Sequence, residues 1–450
     1  MRSAETVLEH ARALLLAAFV VLLAGCGGGT TTSSTTICND PSVCVTPLAQ
    51  QATPTGPNTT EIVVDSGPLG AFVLGVTNVP YVTVTVCSPG SVNNDKCVTI
   101  DHVLLDTGSY GLRLLKSKVD AIGLPAVAVA ADASNGTPAG NAAECYPFVL
   151  GAVWGPLAKA DVRIAAELAS AQTIQLIDDD PATANLAPQN CKSNAQGALL
   201  SSVSMLQANG ILGIGMVDVD CGLPCLTNSY PLGLVVYYSC PTAATCMPAA
   251  MPMASQVQNP VASFTLNNNG TMITMPALPK LGANVAKGRL VFGIGTQTNN
   301  QLPLTSRMYP VETNSASPNY LYVGVQFDGQ SYPQSYIDTG SNAMFFDDAN
   351  LPRVCNVTTG QQGNWYCPTD TWRRSATMTD ANGAQGTFNL TIDNADALFS
   401  VSGTAFGNLG GTAGQPAESF ALGMPFFYGR QVFTSIWGKP LSINGPWYAF

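Results

Sequence analysis

The sequence predicts an all-β protein made of two similar lobes with a cleft between them. The first observation is a repeated tetrapeptide. Asp-Thr-Gly-Ser occurs at 106–109 and again at 338–341, and the frames match: Leu104-Leu105 and Tyr336-Ile337 precede the two copies, while Leu112 and Met344 follow at the same offset. The second is that the order of motifs repeats. Tyr81–Val86 alternates apolar and polar residues, as a half-buried strand does, and the next strand delivers Asp106. Tyr320–Phe327, a turn at Asp328-Gly329 and a further strand deliver Asp338 in the same way. The third is composition. With 43 Gly and 31 Pro, the chain suits many short strands joined by turns, and Val203–Ala208 carries no more than a short helical signal.

Two loops of this kind point to a pair of carboxylates. Gly permits tight turns and close approach of two chains. Thr107, Ser109, Thr339 and Ser341 offer hydroxyls that can hold a carboxylate. Two carboxyl groups brought together cannot both ionise easily, so they share a proton and their pKa values split. Such a pair can serve as base and acid around one water. A single Asp-Thr-Gly is weak evidence, because it also occurs in ordinary turns. Two copies in matching apolar frames are strong evidence.

On these residues the chain resembles the pepsin-like, two-lobed aspartic proteases. Gln207–Gly215, with its Ile211-Leu212-Gly213 core, resembles the segment that closes the family's first lobe. Phe420–Gly423, followed by Phe426 and Phe427, resembles its counterpart in the second. Val261–Phe264 through Gly288–Gly293 looks like the inter-lobe region, so the resemblance runs from about Ile62 to Phe450. At a finer level the chain is similar to bacterial lipoproteins carrying a pepsin-like domain of unknown function. The resemblance implies two pseudo-symmetric β-barrel lobes. Asp106 and Asp338 would be the catalytic pair, with Thr107, Gly108, Ser109, Thr339, Gly340 and Ser341 supporting it. In the family a hairpin Tyr folds over the substrate. Tyr146 is the candidate here, although the usual Tyr-Gly-x-Gly pattern is missing and Tyr146 lies beside Cys145.

The elements follow in order. Residues 1–26 read as an export signal: Arg2 and Arg12 bracket the start, and Ala13–Ala24 is apolar or small throughout, too short for a comfortable membrane span. Leu23-Ala24-Gly25-Cys26 resembles a lipobox, which makes Cys26 the acylated residue. Gly27 at the next position favours passage to the outer membrane, facing the periplasm or the cell surface. Residues 27–60, rich in Gly, Thr, Ser, Pro and Gln, read as a flexible tether. Residues 61–295 form the first lobe, with a Cys-rich insertion, and 296–450 the second.

Of 13 cysteines, setting aside Cys26 leaves twelve. Sequential pairing is expected: Cys38 with Cys44, Cys87 with Cys97, Cys145 with Cys191, Cys221 with Cys225, Cys240 with Cys246 and Cys355 with Cys367, although spacing alone does not fix connectivity. An oxidising compartment is implied. A zinc site at Cys221, Cys225, Cys240 and Cys246 has irregular spacing and is disfavoured. A calcium loop at Asp218 and Asp220 fails at its third ligand position. Asp178-Asp179-Asp180 reads as a solvated turn, and Met247–Met253 as an irregular loop.

Several function classes are disfavoured. His10 lies in the export segment, which leaves His102 alone to serve a Ser or Cys nucleophile or a metal centre. His102 shares strand parity with Asp106, so it either approaches the pair or sits in the core, with a structural role preferred. No phosphate-loop or dinucleotide fingerprint follows a clear strand. A net charge of −10 with no basic cluster argues against nucleic acid. The expectation is a monomeric, lipid-anchored peptidase without metal or cofactor. The alternative is an idle site on the same fold that binds a peptide, glycan or envelope partner.

Overall fold

A computed structural model describes residues 54–71, 76–91, 95–194, 198–227, 235–313, 321–351, 355, 365–413 and 418–450. All of them belong to one compact unit, Pro47–Phe450. The export segment, Cys26 and most of the tether lie outside the described residues. So do Cys38 and Cys44, and with them the disulfide expected to pinch the tether.

The chain is mostly β. In the first lobe, Pro80–Cys87 and Cys97–Asp106 pair antiparallel, and Val82, Val84 and Val86 of the alternating run point into the core. Cys97 sits opposite Cys87 and is bonded to it. Tyr110–Leu115 leaves the Asp106 loop. Gly210–Ile214 then enters between these strands, parallel to Cys97–Asp106 and antiparallel to Tyr110–Leu115.

The second lobe repeats the arrangement. Val323–Phe327 and Gln330–Ile337 form a hairpin, and both Asp328 and Gly329 of its turn have positive φ, as a tight turn demands. Ala421–Leu422 lies parallel to the strand that delivers Asp338 and antiparallel to Met344–Phe345. The same topology on both sides accounts for the repeated motif order.

A run of antiparallel strands joins the halves: Thr59–Val64, Ala286–Phe292, Gly270–Thr274, Gln431–Ser435, Trp447–Ala449 and Met308–Pro310. It draws on sequence from both sides of residue 295, so no single chain position divides the molecule. Sheet also begins at Thr59, before the expected end of the tether. Helices among the described residues are short, Gln189–Asn194 having six residues, and none is long and apolar enough to cross a membrane.

His102 takes the structural place that the sequence reading preferred, beside a break in its strand, and one sequence expectation is corrected. Val82 pairs with Val103 but Val84 with Ile100, so one extra residue bulges at Asp101-His102, and His102 takes a φ of +47°. Its ring lies edge-on to Tyr81, with Nε2 3.4 Å from Asp65 Oδ2 and Nδ1 3.2 Å from Asp101 Oδ2. The acidic triplet is not simply solvated. Asp178 is buried and accepts from the Thr183 hydroxyl, Asp179 accepts from Ser117 N–H, and Asp180 caps the helix Pro181–Ala184. In the Met-rich stretch, Met251 is buried in a satellite core under Cys221–Cys225.

Candidate active site

Each Asp-Thr-Gly-Ser loop holds its own carboxylate. Gly108 N–H donates to Asp106 Oδ1 at 2.8 Å, and Ser109 Oγ–H donates to Asp106 Oδ2 at 2.5 Å. In the second loop Gly340 N–H donates to Asp338 Oδ1 at 2.7 Å and Ser341 Oγ–H to Asp338 Oδ2 at 2.8 Å. The two threonines cross. Thr107 N–H donates to Thr339 Oγ1 at 3.1 Å, Thr339 N–H donates to Thr107 Oγ1 at 3.0 Å, and Thr339 Oγ1–H donates to Leu105 O at 2.7 Å. The groups of this threonine cross are buried, so each bond replaces water that could not otherwise reach the donor.

The glycines explain how the carboxyls meet. A Cβ on Gly340 would lie 2.7 Å from Asp106 Oδ1 and 3.1 Å from Asp338 Oδ1. A Cβ on Gly108 would lie 2.7 Å from Asp338 Oδ1. The inner oxygens of both residues therefore converge where only hydrogen fits. Both glycines are exposed while both aspartates are buried, so the pair opens to solvent between the glycines.

The electrostatics follow from that contact. Burial, then the charge and hydrogen bond of Asp106, push the Asp338 carboxyl up to about 8, and this outweighs its bonds from Ser341 and Gly340. The Tyr110 and Tyr336 phenols are pushed up as well, first by burial and then by the nearest aspartate, so both remain neutral donors.

The apolar-apolar-Gly segments buttress the loops. Asp106 pairs with Gly213, and Asp338 N–H donates to Leu422 O at 3.0 Å. A Cβ on Gly213 would meet Tyr110 N at 2.5 Å, and one on Gly423 would meet Ala343 O at 2.1 Å. Any side chain at either position would push a loop away from its partner.

A family model described as "Protein of unknown function (DUF3443)" matches residues 54–450. The chain belongs to that family. Among solved structures, an aspartic proteinase from Irpex lacteus is similar, with 14% sequence identity, 87% of this chain and 96% of that chain covered, and a TM-score of 0.44. No curated protein matches the sequence.

In this DUF3443 chain, Tyr146 lies on Gly140–Phe148, which forms a hairpin with Gly151–Ile164. Its ring is engaged: the Arg113 guanidinium sits 3.8 Å from the ring centroid, and Phe148 packs edge-on. The hairpin tip instead presents Val149 and Leu150, both more than three-quarters exposed. The cysteine pairs Cys87–Cys97, Cys145–Cys191, Cys221–Cys225, Cys240–Cys246 and Cys355–Cys367 are disulfides. The sixth expected bond, between Cys38 and Cys44, falls outside the described residues and is not among them. Cys221, Cys225, Cys240 and Cys246 are consumed in their own two disulfides rather than available as thiolates. Cys355 and Cys367, which lie near Asp396, are likewise consumed.

Two features escape the sequence reading. Asn78 spends its whole amide on the second lobe. It donates to Asn342 O at 2.8 Å and Phe406 O at 2.9 Å, and accepts from Phe406 N–H at 2.7 Å and the Tyr428 hydroxyl at 3.1 Å. Asn342 directly follows Ser341, so Asn78 reaches from one lobe to the back of the other's loop. Its φ of +53° is a conformation Asn tolerates better than most residues. The second is a buried charge cluster around Arg113, whose only sequence signal is an arginine inside the otherwise apolar Tyr110–Leu115 strand.

Proposed function

We propose that this protein is an aspartic-type endopeptidase, exported and lipid-anchored, with Asp106 and Asp338 as its catalytic pair. The observation that carries the reading is the convergence of two buried carboxyls, each held by a matching loop, on the space between Gly108 and Gly340. An extended peptide would cross the exposed glycines. Asp106 takes a proton from water as its oxygen attacks the peptide carbonyl, and the Asp338 acid gives its proton to the carbonyl oxygen. In the second step Asp106 returns its proton to the leaving nitrogen while Asp338 recovers one from the tetrahedral hydroxyl, so the pair ends as it began. Five disulfides among the described residues fit an oxidising compartment. Leu23–Cys26 supports the anchor, and the sequence reading favours the outer membrane.

A second reading keeps the fold without catalysis, with a peptide, glycan or envelope partner bound instead. The engaged ring of Tyr146, which leaves the family's usual hairpin group occupied, favours it. Binding of a statine-type peptide inhibitor separates the two. The peptidase reading expects tight binding that Asp106→Asn or Asp338→Asn abolishes. A cell-envelope partner retained equally by both variants, with no inhibitor binding, would support the second.

A further inference from the structure

The strand leaving the Asp106 loop carries a second meeting point of acids, which the peptidase reading does not use. Arg113, Glu144, Gln175, Asp220 and Tyr237 are all fully buried. Arg113 is the only cation of the five, and its Nη1 donates to Tyr110 O at 2.5 Å. Its Nη2 donates to Glu144 Oε1 at 2.9 Å and to Asp220 Oδ2 at 2.7 Å, so two carboxyl groups meet at one nitrogen. The Tyr237 hydroxyl donates to Asp220 Oδ1 at 2.5 Å. Three of the four carboxyl oxygens thus accept a hydrogen bond. The fourth, Glu144 Oε2, is buried and has no hydrogen-bond partner among the described residues. Arg113 Nε and Gln175 Oε1 are buried without partners as well, although Gln175 Nε2 donates to Glu144 O at 2.9 Å.

Charge balance decides what this arrangement holds. Two ionised carboxyls against one guanidinium would leave a net negative charge in a buried site, and each would make the other costlier. One bound proton removes that charge. Both oxygens of Asp220 already accept, whereas Glu144 Oε2 is free to carry it. We infer that Glu144 and Asp220 hold one proton between them, carried on Glu144 Oε2, and that the neutral unit of Arg113, Asp220 and Glu144 is a pH-sensitive clasp between the strand Tyr110–Leu115 and the hairpin strand Gly140–Phe148. The other groups facing Glu144 add no charge. Tyr237 stands directly opposite it on Tyr237–Thr242, and Tyr146 lies two residues along its own strand, with the Arg113 guanidinium 3.8 Å from the ring centroid. Burial raises both phenols and keeps them neutral. On the opposite side Glu144 pairs with Gly155, and Gln175 does not ionise. Burial pushes the Glu144 carboxyl well up, and the Asp220 charge adds to this against the pull of Arg113. A raised carboxyl contributes its full stability below the ordinary glutamate value of 4.5 and loses that contribution as pH rises through its folded-state value. The clasp is therefore tight in acid and loosens as the proton leaves, whether or not the chain cleaves peptide.

The test uses the purified full-length chain, with and without glutamate labelled with carbon-13 at its side-chain carboxyl. Glu144 is the only buried glutamate among the described residues, and a glutamate label leaves the Asp338 acid silent. At neutral pH the infrared spectrum should carry a protonated-carboxyl band that shifts with the label and is lost in Glu144→Gln. A folded wild type without a label-sensitive acid band overturns the inference. In Asp220→Asn the guanidinium keeps Glu144 as its one acid, so Glu144 should ionise and the band should vanish although the residue is still present. A band that persists there shows that burial alone holds the proton and contradicts the sharing. Hydrogen exchange at the amides of residues 143–146 reads the clasp. Compared at the same pH, the wild type should exchange faster than Glu144→Gln by a ratio that grows with pH above 4.5. A ratio that stays at one over the same range overturns the clasp. Should a variant fail to fold, the labelled wild-type spectrum decides by itself.

Discussion

Gly340→Ala is the perturbation that most sharply separates a built catalytic pair from two turns that happen to be adjacent. Neither Gly340 nor Gly108 has a positive φ, so the backbone accepts alanine without strain. What it cannot accept is the methyl group, 2.7 Å from Asp106 Oδ1, 2.9 Å from Asp106 Cγ and 3.1 Å from Asp338 Oδ1. Ordinary contact begins at 3.4 Å. A carboxyl must then move by about 0.7 Å, and misplacement on the order of 1 Å costs roughly a hundredfold in rate. We expect kcat to fall by about ten- to a hundredfold, with the melting temperature nearly unchanged because Gly340 is exposed. Gly108→Ala should do the same from the other side, since its methyl would meet Asp338 Cγ and Oδ1 at 2.7 Å. The assay is steady-state peptide cleavage with calorimetry on the same samples. A Gly340→Ala protein that cleaves at the wild-type rate would show that the inner oxygens do not bracket the reacting water.

Two further predictions concern charge and anchoring. The Asp338 carboxyl is raised in the folded state, so its contribution to stability is fully present below the unfolded value of 3.8 and is lost, along a downward slope, as pH rises towards about 8. Urea titrations at several pH values should show that slope in the wild type and not in Asp338→Asn, and peptide cleavage should decline as pH rises through about 8. Asn78→Ala should cost about 3 kcal/mol by urea unfolding, because it strands the buried Phe406 N–H and the carbonyls of Asn342 and Phe406. It should also lower kcat, since Asn342 follows the Asp338 loop.

The geometry of the carboxyl pair is legible in the sequence because it is local and repeated. Each loop's hydrogen bonds run between residues two or three apart, and the apolar-apolar-Gly segments advertise the close approach that Gly213 and Gly423 permit. The disulfides within the described residues are legible for a similar reason, since most join close neighbours. The bulge at Asp101-His102 is not legible because alternation assumes an unbroken ladder, and one extra residue puts Ile100 on the same face as Val103. Asp178 is misread because composition cannot distinguish an acid facing water from one that receives a hydroxyl under a capped helix. The Arg113–Glu144–Asp220 cluster and the Asn78 strut join residues whose separation in sequence carries no period. A charge within a buried strand, or a lone Asn before a Val-Pro-Tyr run, signals a need for partners without saying where they lie.

Peptide cleavage by the purified full-length chain, compared with its Asp106→Asn and Asp338→Asn variants under identical conditions, bears most directly on the pair. Loss of cleavage in each variant, with both still folded, is the expected result. Undiminished cleavage in either would contradict a mechanism in which both acids act on one water.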